Sequence, residues 1–182
     1  MPTGVLVGRF QPFHNGHLAA VGYALKKVDY LFIVIGSSQK SHERDNPFTA
    51  GERIAMVKAA LDEAEISTEK WMAVPIADTE AHALWPAMLK MTLPPFDIVF
   101  TNDGLTTRLL REQGIKVEAV PYLERASYSA TNVRSRILEM MEWEKLVPEA
   151  VAFIIRDVGG VERVRSMIHK DLEGEDKARS RR

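Results

Sequence analysis

The sequence predicts an α/β fold: a doubly wound, five-stranded parallel sheet with a small helical C-terminus. Three observations carry this. Short apolar runs alternate with stretches of helical spacing along most of the chain, in the order β-α-β-α-β-α-β-α-β followed by helices. The runs are continuous rather than alternating, as in strands covered on both faces. No internal repeat and no linker divides the chain, so residues 1–170 are expected to form a single domain, helical from about residue 131.

Taken in order, Gly4–Val7 is a buried strand opening into Gly8-Arg9-Phe10. His17–Val28 carries Leu18, Val21, Leu25 and Val28 at helical spacing, and Tyr30–Ile35 is a second buried strand ending at Gly36. Ser37–Pro47 is polar and irregular, hence a loop. Thr49 and Glu52 then form a capping box at the head of an amphipathic helix running to about Ala64. Trp71–Ile76 is the third strand and Ala77–Ala81 a loop. A helix follows over Ala83–Met91, with Pro86 in its first turn. Asp97–Thr101 is the fourth strand, Leu105–Gln113 a helix closed by Gly114, and Lys116–Val120 the fifth strand. Thr131–Met141, Pro148–Asp157 and Val161–Lys170 are helices, and the polar tail 171–182 is expected to be disordered.

The bulk composition excludes several classes. The chain has 182 residues, 46% hydrophobic and 27% charged, enough to bury a sizeable core. A net charge of −1 argues against a general nucleic-acid binder. The absence of cysteine removes disulfides, thiolate metal sites and cysteine nucleophiles. No apolar run approaches a membrane span and the N-terminus lacks the pattern of a signal peptide, so the cytoplasm is the expected location.

Two motifs carry chemistry. Gly8-Arg9-Phe10-Gln11-Pro12-Phe13-His14-Asn15-Gly16-His17 spans the end of the first strand and the start of the first helix. His14 and His17, three apart, share one side of the helix entrance, and Gly16 permits close approach to the backbone. The helix N-terminus adds unpaired N–H groups and a positive dipole end, so with Arg9 the set suits a phosphate. Metal ligation and simple packing are the competing readings, and no neighbouring carboxylate supplies a familiar zinc spacing. The second motif, Tyr128-Ser129-Ala130-Thr131-Asn132-Val133-Arg134, again meets a helix start, with two hydroxyls and a forked guanidinium. Taken alone, its Ser and Thr are ordinary caps. In an open α/β sheet both motifs open onto the crevice at the strands' carboxyl ends.

The pairing of H-x-G-H with S-x-T-x-x-R resembles the HIGH-type nucleotidyltransferases, whose fold is Rossmann-like. More closely, the first motif, Asn46-Pro47-Phe48-Thr49-Ala50-Gly51-Glu52-Arg53, Leu84-Trp85 and Pro94-Pro95-Phe96-Asp97 resemble archaeal-type nicotinamide-nucleotide adenylyltransferases, from about Gly4 to Met167. The resemblance implies transfer of AMP from ATP to nicotinamide mononucleotide (NMN), giving NAD and pyrophosphate. It implies ATP contacts from Gly8, Arg9, Phe10, His14, Gly16, His17, Ser129, Thr131 and Arg134, with Arg9, His14, His17 and Arg134 catalytic. It places the nicotinamide nucleotide against Phe10, Gln11, Ser38, Asp78, His82 and Trp85, with Trp85 stacking on the pyridine ring. His82 stands where the family has asparagine. Mg²⁺ or a related divalent ion is the implied cofactor, with no metal ligand assigned among the side chains. Archaeal members are commonly homohexamers, so a homo-oligomer is expected. An adenylyltransferase for flavin mononucleotide or phosphopantetheine, or a sensor that binds ATP or NAD without turnover, would use the same phosphate machinery.

Overall fold

The computed structural model describes residues 1–121 and 128–167. Strands β1 (Thr3–Gly8), β2 (Tyr30–Ile35), β3 (Trp71–Pro75), β4 (Ile98–Phe100) and β5 (Val117–Glu118) form one parallel sheet in the order β3-β2-β1-β4-β5. The chain first winds outward from β1 through β2 to β3, then returns past β1 to β4. The direction of winding therefore reverses between β1 and β4, which opens a crevice at their carboxyl ends. Register pairs Thr3 with Tyr30 and Gly8 with Ile35, so β1 and β2 end level.

Both faces of the sheet are covered, which explains the unbroken apolar runs. Leu6, Leu31, Ile33, Ile35, Ile98 and Phe100 point into one core with helices α1 (Asn15–Leu25), α2 (Ala50–Glu63), α5 (Ala130–Leu138) and α6 (Glu149–Asp157). Val5, Phe32, Val34 and Val99 point into the other with α3 (Trp85–Thr92) and α4 (Gly104–Glu112). The period-two alternation of side chains distributes successive apolar residues between the two.

The element order matches the expectation, and the boundaries shift for local reasons. Helix α1 starts at Asn15 rather than His17, because the His14 carbonyl already accepts from the N–H groups of His17 and Leu18. It ends at Leu25 rather than Val28, where a tightened last turn brings the N–H groups of Lys27 and Val28 onto the Ala24 carbonyl. The helix expected over Ala83–Met91 is a 3₁₀ turn, His82–Leu84, leading into α3, where Pro86 occupies a first-turn position that needs no N–H. Strands β4 and β5 are shorter than expected, and α5 spans Ala130–Leu138 rather than Thr131–Met141, its exit marked by Met140 at φ 55°. The 3₁₀ turns Thr68–Lys70 and Glu144–Leu146 had no sequence signal here. Residues 160–167 are helical (α7). The rest of the helix expected over Val161–Lys170, and the tail 171–182, lie outside the described residues.

The C-terminal helices brace the site from behind. Arg163 on α7 forms a two-pronged ion pair with Glu52 at 2.7 and 2.9 Å and donates to the Pro47 carbonyl at 3.1 Å. Glu52 in turn completes the capping box with Thr49, as expected. Gly160 allows the close approach: a Cβ there would lie 2.6 Å from the Phe48 ring and 2.7 Å from the Ile155 carbonyl oxygen.

Candidate active site

The loop after β1 is held by its own side chains. Phe10, at φ 52°, turns its ring under Gly8, where a Cβ would lie only 2.7 Å from it. Gln11 is buried, and its amide pairs with the backbone of Phe48 in both directions at 2.9 Å. This fixes the chain just ahead of α1, with His14 as N-cap residue in extended conformation.

His14 and His17 stack at 3.6 Å between ring centroids, with the Phe10 and Phe13 rings against His17. The His14 backbone N–H donates to His17 Nδ1 at 3.3 Å. That bond assigns the proton of neutral His17 to Nε2, leaving Nε2–H as its one donor. Burial pulls the His14 pKa down to about 4. Burial, then the neighbouring His14, lowers that of His17. Both rings are therefore neutral near pH 7 before any anion arrives.

Opposite them, Ser129 caps α5, its Oγ accepting from the Asn132 N–H at 3.1 Å. Arg134, one turn in, is buried; it donates to the Gln11 carbonyl at 2.8 Å and to Asp45 Oδ1 at 2.9 Å. One guanidinium thus joins the loops after β1 and β2 to the last motif. Burial lowers its pKa, Asp45 opposes that, and Arg9 and Arg44 reinforce it.

These groups line a cavity of about 340 Å³, with Arg9, His14, Gly16, His17, Thr131 and Arg134 among its walls. A second cavity of about 310 Å³ is lined by Gly8, Gly36, Ser37, Asp78, His82 and Trp85, among others. Val7, Arg9, Thr101 and Asp103 belong to both, so the two meet between the ends of β1 and β4. Asp78 accepts from Ser37 Oγ at 2.9 Å and Gln39 Nε2 at 3.2 Å, and pairs with Lys40 at 3.3 Å. Burial works against its ionisation, but the Ser37, Lys40 and Gln39 hydrogen bonds prevail and hold its pKa low. Trp85 is half-buried, packing against the core beneath α3 while lining the cavity.

Most of the residues singled out in the sequence therefore converge, in two groups. Phe10, Gln11, His14, Gly16, His17, Ser129, Thr131 and Arg134 wall the first cavity, Gly8, Asp78, His82 and Trp85 the second, and Arg9 both. Phe10, assigned to both ATP and the nicotinamide nucleotide, and Gln11, assigned to the nicotinamide nucleotide, lie on the histidine side, and Ser38 lines neither cavity, whereas Ser37 lines the second. Sequence reasoning missed Asp45, Asp103 and above all Arg53. Arg53 is fully buried and donates to four backbone carbonyls: Arg9 at 2.9 Å, Gly36 at 2.8 Å, Ser37 at 3.1 Å and Thr49 at 3.2 Å. Burial, with Arg9 nearby, brings its pKa to about 10, so it stays charged at neutral pH. In the sequence it stands only as the last residue of the Asn46–Arg53 motif, and no local spacing reveals acceptors on other loops.

Among the described residues no three His, Asp or Glu side chains gather as a metal cage.

Two cavities that meet at an arginine, one walled by an H-x-G-H helix start, on a sheet with its crevice at the winding reversal, define a nucleotidyltransferase. The Cytidylyltransferase-like family model matches residues 5–136. Nicotinamide-nucleotide adenylyltransferase of Thermococcus kodakarensis is 42% identical over 96% of this chain and 92% of its own. Those of Methanolobus tindarius (43%, covering 97% of this chain and 100% of that one) and Archaeoglobus fulgidus (45%, 91% and 97%) are similar. The chain belongs to the nicotinamide-nucleotide adenylyltransferase family. The fold is also that of a bifunctional NMN adenylyltransferase/ADP-ribose pyrophosphatase from Francisella tularensis, crystallised with AMP and a manganese ion, at TM-score 0.78 and 20% identity. The match covers 98% of this chain but 55% of that one.

Proposed function

We propose that this protein transfers AMP from ATP to NMN, forming NAD and releasing pyrophosphate. The observation that carries the reading is the pair of cavities joined at Arg9, one suited to a triphosphate and one offering Trp85 and Asp78 to a nicotinamide nucleotide. The curated relatives' activity supports the acceptor.

In this reading a phosphate oxygen of NMN attacks the α-phosphorus of ATP in line, the bond from that phosphorus to the bridging oxygen breaks, and pyrophosphate departs. The attacking phosphate is already ionised, so no strong general base is required. Catalysis then rests on positioning and on stabilising charge. His17 Nε2–H and the His14 imidazole donate to the α-phosphate oxygens as charge accumulates, while Arg9, Arg134 and the N-terminus of α5 hold the departing phosphates. A divalent cation on the phosphates would neutralise further charge. Ser37 and Asp78 orient the acceptor, with Trp85 under its ring. A cytoplasmic location and assembly as a homo-oligomer belong to the same proposal; no helix among the described residues is long and apolar enough to cross a membrane.

The test is pyrophosphate release from ATP and Mg²⁺ with NMN, set against flavin mononucleotide and phosphopantetheine. NMN-dependent release with NAD as product is expected. Release with another acceptor only would refute the acceptor assignment, and no release with any would refute the enzyme reading.

A further inference from the structure

The last backbone rung between β1 and β2 is the Gly36 N–H donating to the Gly8 carbonyl at 2.9 Å. Beyond it the two chains part, one toward α1 and one into the loop that carries Ser37. The first groups past that rung are bridged by Arg53. One nitrogen, Nη1, donates to both the Arg9 and Gly36 carbonyls at 2.9 and 2.8 Å, and Nη2 reaches the Ser37 carbonyl at 3.1 Å. The guanidinium therefore continues the β1–β2 ladder by one step where the backbone no longer can. Its Nε donates to the Thr49 carbonyl at 3.2 Å and anchors the bridge to the first turn of α2.

This is an expensive construction for packing alone. A buried cation is costly; the Asp78 carboxylate offsets part of that cost without a hydrogen bond, and the direct partners are four carbonyls, which compensate it by being held in place. The residues so held are those at which the cavities are built. Arg9 lines both, and Gly36 and Ser37 line the second. Phe10 and Ser37, on either side of the bridge, sit at φ 52° and 49°, a region non-glycine residues leave when not restrained.

We propose that Arg53 is a positioning residue that sets the distance between the two substrate cavities, acting through the carbonyls of Arg9, Gly36 and Ser37 without touching either substrate. The inference rests on the two-substrate reading above. Lysine at this position keeps the charge but gathers its three N–H donors on one nitrogen, whereas the guanidinium reaches its acceptors from Nε, Nη1 and Nη2 of a planar fork, so lysine cannot span acceptors on three separate segments. In Arg53→Lys each cavity survives and its alignment with the other is lost. Misplacement of this kind costs about a hundredfold in rate.

The experiment compares wild type with Arg53→Lys and Arg53→Gln. It measures binding of ATP alone and NMN alone by calorimetry, kcat and KM for each substrate, and the folded fraction by thermal melting. The expected result is a kcat per folded molecule lower by about a hundredfold, with Kd for each single substrate within about threefold of wild type. Arg53→Lys should retain more activity than Arg53→Gln. Three results would overturn the proposal: an unchanged kcat per folded molecule, a loss carried wholly by KM, or failure of both variants to fold even with saturating ATP at low temperature, which would make Arg53 a determinant of the fold alone. A wild-type enzyme inert toward NMN in the same assay would overturn the two-substrate reading, and the inference with it.

Discussion

Acidification is expected to destabilise the protein first through the stacked histidines. Burial places the His14 pKa at about 4, against 6.5 in the unfolded chain. Throughout that interval the unfolded state binds a proton that the folded state refuses, so stability falls as pH falls from about 6.5 to about 4. At pH 5.5 the unfolded imidazole is about nine-tenths protonated and the folded one only a few per cent, a difference of about 1 kcal/mol. The full interval corresponds to about 3 kcal/mol. His17 shifts the same way and adds to the effect, and the two titrate as a pair. Glu52, Asp78 and Glu144, whose pKa values are held low, lose their contribution only in more acid solution. The assay is urea unfolding of wild type and His14→Gln in steps from about pH 7.5 to about pH 5, since glutamine fills similar space and does not titrate. The gap between the two should shift toward the variant by about 1 kcal/mol on reaching pH 5.5. A gap that stays constant over this range would refute the neutral, buried pair.

The same pair should take up a proton when ATP binds near neutral pH, because phosphate charge raises imidazole pKa values. Calorimetry in buffers of different ionisation enthalpy reads that uptake, and buffer-independent heats would contradict it. His17→Ala is expected to lower kcat by at least about a hundredfold while circular dichroism reports an intact fold. Gly16→Ala puts a methyl 3.0 Å from two His14 ring atoms and 3.2 Å from Tyr128 Cβ. The ring must shift, so kcat should drop by about tenfold with little change in melting temperature. Asp45→Asn removes the counter-ion that holds Arg134 and should tighten ATP binding by about two- to fivefold, the scale of a half-exposed ion pair. Weaker binding would mean that Asp45 holds Arg134 ready for the nucleotide.

The sheet was legible because its signal is local. Tyr30–Ile35 and Ile98–Phe100 are apolar on both faces, and the Thr49–Glu52 box and Gly114 mark helix ends by their own chemistry. Helix boundaries were less legible where hydrogen bonding decides them. At His14 the backbone is extended while its carbonyl already serves the helix, so periodicity counted from the next apolar residue begins late. The site was legible where a motif sits within one loop, as from Gly8 to His17. It was not where function depends on which backbone atoms a long side chain meets. Gln11 looked like a ligand contact, yet both ends of its amide engage Phe48. Ser38 and Ser37 are equivalent in sequence, and only the left-handed turn at Ser37 decides which hydroxyl faces Asp78.

A net charge of −1 hides a strongly cationic site, and the reason lies in how the cations are spaced along the chain. Arg9, Arg53 and Arg134 come from three segments that share no local pattern, so neither the net charge nor any window of sequence reveals their concentration. The fold brings them together at the carboxyl ends of the parallel strands, where the positive ends of α1 and α5 also point. Like charges at close quarters would repel, and the structure answers differently for each. Arg134 is paired with Asp45, whereas Arg53 is buried among carbonyl dipoles. Arg9 is the one shared by the two cavities. A triphosphate entering there would relieve the remaining repulsion among these groups. The pKa values of Arg53 and Arg134, both lowered by burial and in part by Arg9, record that repulsion, and in the proposed reading it favours an anion at this end of the cleft.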